Sequence, residues 1–173
     1  TDNQGDQRGI SWQACPGVMI YRRDIAQQVF GTDDPAVIQQ QVADWSKFEQ
    51  ASDLLLAAGH PMLAGYFDTY RVFASNRSQA WVNDQQEIQL DPALKVWWAQ
   101  MKRFTQQGKN GTYNLLEKGW GAQVKGNTFC FFGPAWMINY ALKPLSLAVS
   151  VADGGQEQLG NGTFGEWAVC EGP

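Results

Sequence analysis

Helix-start signals built from aspartate constrain this chain more than any other feature of its sequence. An Asp-Pro pair occurs at 34–35 and again at 91–92, where the carboxylate caps the first turn and proline lacks only an N–H that has no partner there. Asp44 is a third capping residue. Apolar residues at helical spacing follow Asp44 as far as Gly59, and follow the second pair as far as Gly108. The signals predict helices over 35–42, 45–58 and 92–107.

Short apolar segments between these helices are typical of strands, and they lie at 10–15, 18–23, 62–67, 128–132, 145–151 and 166–170. Shorter helices are predicted over 24–30, 70–75 and 135–142, and a small hairpin over 81–90. Residues 109–127 are rich in Gly, Asn and Lys and lack periodicity, which predicts a long loop that contains Trp120. Because no repeat and no linker divides the chain, we expect a single α/β domain over 1–173, helix-rich with a small mixed sheet.

The composition is rich in aromatic residues and poor in charge. The chain has 8 Trp, 9 Phe and 5 Tyr, only 17% charged residues and a net charge of −4. Nucleic-acid surfaces need clustered Lys and Arg, so this balance argues against a nucleic-acid partner. A core uses some of the tryptophans, and the others are free to stack on flat apolar faces of a ligand.

The sequence lacks the common signatures of catalysis. Its single histidine, His60, follows a helix exit, and with one histidine no zinc site of the usual Cys/His type can form. No glycine motif for nucleotide phosphates is present. Asp33 and Asp34 are paired carboxylates of the kind a glycosidase uses, but helix capping is their simpler function. We therefore expect no catalytic residue, no metal and no cofactor.

The three cysteines are Cys15, Cys130 and Cys170. Cys15 and Cys170 end predicted strands near the two ends of the chain, and the ends of a domain often lie close together. Two interpretations stay open: a Cys15–Cys170 disulfide in a secreted protein, or two buried free thiols. Cys130 lies in an apolar strand, which predicts a buried thiol.

Four segments follow one another in a distinctive order: 10–26 (ISWQACPGVMIYRRDIA), 44–59 (DWSKFEQASDLLLAAG), 126–136 (GNTFCFFGPAW) and 165–173 (GEWAVCEGP). Together they resemble the extracellular solute-binding proteins of carbohydrate ABC importers, the group that includes maltodextrin-binding proteins. The resemblance covers nearly the whole chain and implies a type II fold like that of periplasmic binding proteins.

Members of that family have two lobes joined by hinge strands, and the sugar binds between the lobes. The resemblance implies that this chain is one lobe, the C-terminal one, with hinge-crossing strands at 10–15 and 166–171. The implied partners are a carbohydrate ligand, the N-terminal lobe of the same protein and the membrane subunits of an ABC importer. The implied location is extracellular, with a lipid anchor in the full-length protein.

Sugar rings have an apolar face and a rim of hydroxyl groups, so aromatic and polar side chains together suit them. The resemblance places an aromatic residue after the strand-Gly-Pro turn against the ligand, and Trp136 is the match. It also implies contacts from the segment after the first long helix and from the crossing strand, while Trp120 is a candidate because glycines flank it. The candidate ligand-binding residues are Trp12, Gln13, Tyr66, Asp68, Tyr70, Arg71, Trp120 and Trp136.

Several of these residues have a second interpretation. Trp136 can belong to the core of its short helix, and Asp68 can simply begin a turn. Arg71 can be a surface charge or a partner of Asp68, and Trp120 can anchor its loop. Trp45 and at least one of the neighbouring tryptophans at 97 and 98 are assigned to the core.

Two other functions stay open. A glycan-active enzyme, or its accessory module, also needs exposed tryptophan, and the enzyme needs two carboxylates about 5–10 Å apart in a cleft. A helical protein-interaction domain needs an apolar surface patch of several hundred Å².

Overall fold

The computed structural model describes residues 4–10 and 14–173. Its elements are β1 (Gly17–Arg22), α1 (Arg23–Phe30), α2 (Pro35–Gln41), α3 (Trp45–Ala57), α4 (Tyr70–Ser75), α5 (Pro92–Gln107), α6 (Lys118–Val124), β2 (Cys130–Pro134), α7 (Ala135–Met137), α8 (Lys143–Ser146) and β3 (Trp167–Cys170). A π-helical turn, Ile138–Leu142, joins α7 to α8, and a 3-10 turn spans Val151–Asp153. The predicted helix-rich α/β fold is confirmed.

The sheet has the strand order β2-β1-β3. β1 is antiparallel to both neighbours, with Gly17 opposite Pro134 and Met19 opposite Cys170. Leu63 forms parallel bridges with Cys130 and with Asn110, so the pairing is mixed, as the sequence predicts. Consequently β2, β3 and the short extended segments at 63 and 110 all run in one direction, and β1 runs in the other.

Helices cover both faces of this sheet. Side chains of a strand alternate between the two faces, so the consecutive apolar residues of β1 are buried on both of them. Met19 and Tyr21 of β1 are fully buried in a core that includes side chains of α1 to α5. Ile20 points to the opposite face and packs in a second core with side chains of α6, of α7 and of the π-helical turn. The fold therefore has three layers with the sheet in the middle.

The three aspartate signals begin helices where the sequence predicts. Asp34 accepts hydrogen bonds from the Ala36 and Val37 amides, Asp44 accepts one from Lys47, and Asp91 accepts one from Ala93. Asp91 also accepts hydrogen bonds from the Ser78 and Gln79 amides, which ties the base of the 81–90 hairpin to α5. These donors favour the carboxylate and lower the pKa of Asp91.

The predicted loop at 109–127 is wrong in its second half, where α6 forms. Gly119 and Gly121 lie inside this helix although glycine disfavours helices. A Cβ at Gly119 would overlap the Tyr113 ring, and one at Gly121 would lie 3.3 Å from the Leu145 side chain. Gly119 therefore serves close packing, and both glycines mislead a prediction that treats glycine as a sign of a loop.

The predicted strand at 145–151 is wrong, because the helix that begins at Ala135 continues to Ser146, residues 147–150 form no regular element, and a 3-10 turn begins at Val151. The helix predicted over 135–142 thus extends past Pro144, a residue that normally ends a helix. Proline cannot donate the regular helical hydrogen bond, and the π-helical turn directly before α8 accommodates the proline at the start of a new helical segment.

Two further segments differ from the predicted strands. At 62–67 only Leu63 forms bridges, and the chain then turns at 66–69. Ile10, Ala14 and Cys15 lie in no strand, and the predicted site residues Trp12 and Gln13 are outside the described residues.

Candidate ligand-binding surface

One edge of the sheet brings together segments that are distant in sequence. β2, β3 and the extended segments at 63 and 110 run in the same direction, so the residues that follow each of them emerge at the same ends of the strands. We call this border of the sheet, formed by the strand ends, the carboxyl edge. β1 begins at this same edge because its first residue is paired with the last residue of β2. In open α/β sheets, ligands bind outside the carboxyl ends of the strands.

Trp136 emerges at the carboxyl edge directly after β2. It is 42% exposed, whereas its neighbour Met137 is 1% exposed, so Trp136 does not belong to the core. The ring of Tyr140, which is 76% exposed, lies edge-on with its centroid 6.4 Å from that of Trp136. A Cβ at Gly133 would overlap Met137, so glycine lets the helix begin immediately after the strand.

A second group of rings, the aromatic cluster, is built on the turn that follows Leu63. Its members are in contact in series, with ring centroids 5.1 to 6.2 Å apart, and they are Tyr66, Phe67, Tyr70, Trp97 and Trp98. Phe67 is 43% exposed and Trp98 is 65% exposed. The contacts of Trp97 with Phe67 and Tyr70 bring the start of α5 to this turn. Tyr66 and Tyr70 are half-buried, as expected for residues that support a surface.

Asp68, in the same turn, and Trp120 of α6 are both buried and bind each other. The indole Nε1 of Trp120 donates to Asp68 Oδ1 over 3.0 Å, and the Gly65 amide donates to Asp68 Oδ2 over 2.9 Å. Trp120 is fully buried and packs edge-on against Phe131, with ring centroids 5.0 Å apart. Burial raises the pKa of Asp68 to about 6. Of the open interpretations, the structure shows a turn residue at 68 and a buried anchor at 120, although the anchor belongs to a helix.

The remaining predicted site residues lie apart or outside the description. Arg71 is exposed near the start of α4, while the carboxylate of Asp68 is bound to Gly65 and Trp120. Trp12 and Gln13 lie outside the described residues. The structure therefore brings Tyr66, Tyr70 and Trp136 to the carboxyl edge, together with three rings that the sequence analysis did not select.

Those three rings are Phe67, Trp98 and Tyr140, and two of them carried a usable signal. Tyr140 stands four residues after Trp136, which puts both on one helical face. Trp98 is adjacent to the buried Trp97, and adjacent helical residues point about 100° apart, so one of the pair had to face outward. Phe67 carried no signal, because its exposure depends on the turn at 66–69.

The cysteines and the histidine take structural positions. Cys15 is exposed, Cys170 is half-buried, and both are free thiols. Burial raises the pKa of Cys170 to about 11 and that of the fully buried Cys130 thiol well above its usual range. His60 is held by the Asn127 carbonyl and the Gln28 side chain at 3.1 and 3.2 Å.

Within residues 4–10 and 14–173, no group of three or more His, Cys, Asp or Glu side chains is arranged to hold a metal ion. None of the helices in the same ranges has the length and apolar character needed to cross a membrane.

No protein-family model matches the sequence, and no curated protein matches it. Among solved structures, the fold is similar to the crystal structure of an extracellular solute-binding protein of family 1, with a TM-score of 0.66 and 17% sequence identity over 90% of this chain. The chain spans 37% of the length of that protein. The likeness shows the fold: a helix-rich lobe with a small sheet, as in solute-binding proteins.

Proposed function

We propose that this chain is one lobe of the substrate-binding component of an ABC importer, and that it binds a carbohydrate at the carboxyl edge without catalysis. One observation carries the proposal: Trp136 and Tyr140 are exposed immediately after the Gly133-Pro134 turn, at the edge where ligands bind in open α/β sheets. The similarity to a solute-binding protein supports the proposal at the level of the fold.

The path of the main chain supports a two-lobe arrangement. β1 begins and β3 ends at the carboxyl edge, because Met19 is paired with Cys170. The Gln39 side chain then donates to the Gly172 carbonyl over 3.0 Å and accepts from the Gly172 amide over 2.9 Å. The segment before β1 and the segment after β3 therefore extend from the carboxyl edge next to each other. A second lobe joined to these two segments would face Trp136 across a cleft.

The exposed rings suit the apolar faces of sugar rings. Trp136 offers a flat face next to Tyr140, and the aromatic cluster offers a second apolar surface at the same edge. The hydroxyl rim of a sugar needs hydrogen-bond partners, because each polar group left unmatched costs about 1–3 kcal/mol. In this proposal the second lobe supplies about half of those partners when the two lobes close. The isolated chain then binds sugars weakly, in the millimolar range.

The remaining parts of the proposal concern the longer protein. The docking partners are the membrane subunits of the importer, the location is extracellular, and a lipid anchor holds the full-length protein at the membrane. The residues at 10–15 and 166–171 form the hinge crossings, and the residues at 12 and 13 contribute to the floor of the cleft.

Weak binding is measurable through the indole resonances of the chain labelled with ¹⁵N-tryptophan. We expect maltotriose or another linear trisaccharide from a panel to shift the Trp136 indole resonance. Replacing Trp136 with Ala should weaken binding about tenfold, or about 1.4 kcal/mol, because a stacking face is lost. The affinity of the variant is read from the shifts of the other indoles.

Trp81→Ala is the matched control for this experiment. Trp81 is 44% exposed, close to the value for Trp136, but the Arg77 guanidinium already lies 4.9 Å from its ring centroid. We expect this variant to bind like the wild type. Equal weakening by both substitutions, or no shift with any sugar of the panel, would contradict the proposal, and so would micromolar binding by the isolated chain. Release of new reducing ends from the panel would favour the glycan-active alternative.

A further inference from the structure

A buried carboxylate, Asp68, lies in the turn that carries Tyr66 and Phe67 of the aromatic cluster. Asp68 is 8% exposed, and its two oxygens accept hydrogen bonds from different parts of the fold. Oδ2 binds the Gly65 amide, which begins the turn carrying Tyr66 and Phe67, and Oδ1 binds the Trp120 indole in the middle of α6. One side chain therefore connects the turn to a helix that is 52 residues away in sequence.

Close packing of the main chain surrounds this connection. A Cβ at Gly65 would overlap the Tyr113 carbonyl, and a Cβ at Gly119 would overlap the Tyr113 ring. Gly111 approaches the Ala64 carbonyl just as closely. The turn at 65–68, the segment at 111–113 and the start of α6 are therefore closely packed. The Asp68 carboxylate makes the polar contact between the turn and α6.

We propose that Asp68 is a positioning residue of the ligand-binding surface: its ionised carboxylate fixes the turn bearing Tyr66 and Phe67 against α6. The role rests on the proposed function of the carboxyl edge, but the contact that carries it exists without ligand. It also explains why a carboxylate, which is costly to bury, occupies this position instead of a smaller polar residue.

The hydrogen-bond pattern favours the ionised form. The Gly65 amide and the Trp120 indole each donate to one oxygen of Asp68, and the Ala64 amide is a further donor near the carboxylate, so both oxygens accept. Protonation turns one oxygen into an O–H group that competes with a donor, and one of the two contacts is lost. No ion pair includes Asp68 in residues 4–10 and 14–173. The titratable group that faces it is the Cys130 thiol of β2, which stays neutral because burial raises its pKa.

The first test follows the Trp120 indole resonance of the ¹⁵N-tryptophan-labelled chain from about pH 4.5 to about pH 8. Burial holds the pKa of Asp68 at about 6, so the resonance should shift with a midpoint near that pH. The Trp120→Phe variant assigns the resonance and keeps the ring against Phe131. Asp68→Asn should abolish the shift. A Trp120 resonance that is the same in the wild type and in Asp68→Asn at every pH, or that titrates equally in both, overturns the proposal.

The second test asks whether the turn is positioned. Hydrogen exchange of the Gly65 amide, measured at about pH 7, should accelerate at least tenfold in Asp68→Asn and in Trp120→Phe. Asp24→Asn is the control, because Asp24 pairs with Arg22 and does not touch the turn. Unchanged exchange at Gly65 in Asp68→Asn and Trp120→Phe overturns the role.

The third test separates this role from the proposed function. If maltotriose binds the wild type, its affinity should fall about tenfold between about pH 7 and about pH 5, because only about a tenth of Asp68 is ionised at about pH 5. In Asp68→Asn the affinity should not change between these pH values. Binding with the same pH profile in both proteins overturns the positioning role. If no sugar binds at any pH, the proposed function fails, and the titration of Trp120 and exchange at Gly65 still decide the role of Asp68.

Discussion

Single residues in this lobe hold charge where the fold can least solvate it, and Asp68 is the clearest case. Its folded pKa of about 6 exceeds the ordinary value of 3.8, so the folded state binds a proton more tightly than the unfolded state. The contribution of Asp68 to the free energy of unfolding is therefore highest at low pH, and it falls as the pH rises from about 4 to about 6.

We expect the Asp68→Asn variant to lack this decrease in the free energy of unfolding between about pH 4 and about pH 6. The difference in the free energy of unfolding between the wild type and the variant should change by about 3 kcal/mol across this pH range. The comparison cancels the contributions of Asp24, Asp91 and Glu117, whose lowered pKa values act in the opposite direction in both proteins. Urea titrations at several pH values measure the difference, and parallel pH profiles would contradict the assignment.

At the scale of elements, α6 shows how packing overrides propensity. Ala at Gly119 would normally stabilise a helix by about 1 kcal/mol. Here its Cβ would overlap the Tyr113 ring, so Gly119→Ala should destabilise the lobe by about 1–3 kcal/mol through displacement of that ring. Gly121→Ala is the matched control in the same helix, because its Cβ would lie 3.3 Å from a side chain that can adjust.

Thermal unfolding of the two variants provides the comparison. We expect the melting temperature of Gly119→Ala to fall and that of Gly121→Ala to stay close to the wild-type value. A rise in both would mean that α6 tolerates a methyl group at either position, and that the glycines do not serve packing.

The elements that local chemistry determines were predictable from sequence. Asp34, Asp44 and Asp91 cap their helices through contacts within three residues, and such contacts can be read from the chain directly. α6 and the continuation of the helix beyond Pro144 were not predictable, because they depend on Tyr113 and on a π-helical turn. The same holds for the candidate site: Trp136 followed from its motif, whereas Phe67 and the buried contact of Asp68 with Trp120 depend on long-range packing.

At the scale of the whole molecule, the carboxyl edge is where the path of the chain and the exposed rings coincide. Gln39 of α2 fixes this edge through its two hydrogen bonds to Gly172. Replacing Gln39 with Leu would remove both hydrogen bonds, so the Gly172 carbonyl would lose its partner and the Gly172 amide would keep only its weak contact with the Cys170 sulfur. We expect a loss of about 1–3 kcal/mol in the free energy of unfolding, because Gly172 is buried.

Chemical denaturation and exchange of the Gly172 amide measure this effect. Gln40→Leu is the control, since Gln40 is the exposed neighbour on the same helix. If the two variants have equal stability and equal hydrogen exchange at Gly172, the two hydrogen bonds of Gln39 do not hold the end of β3 in place.

β3 has a further consequence for the behaviour of the lobe in solution. Among the strands of the described residues it pairs with β1 alone, and Val169 in its middle is 45% exposed. No strand within residues 4–10 and 14–173 pairs with its outer side, which can therefore take an additional strand. A longer chain could extend the sheet there, and a second molecule could add a strand in the same place, so we expect concentrated preparations of this chain to self-associate through β3.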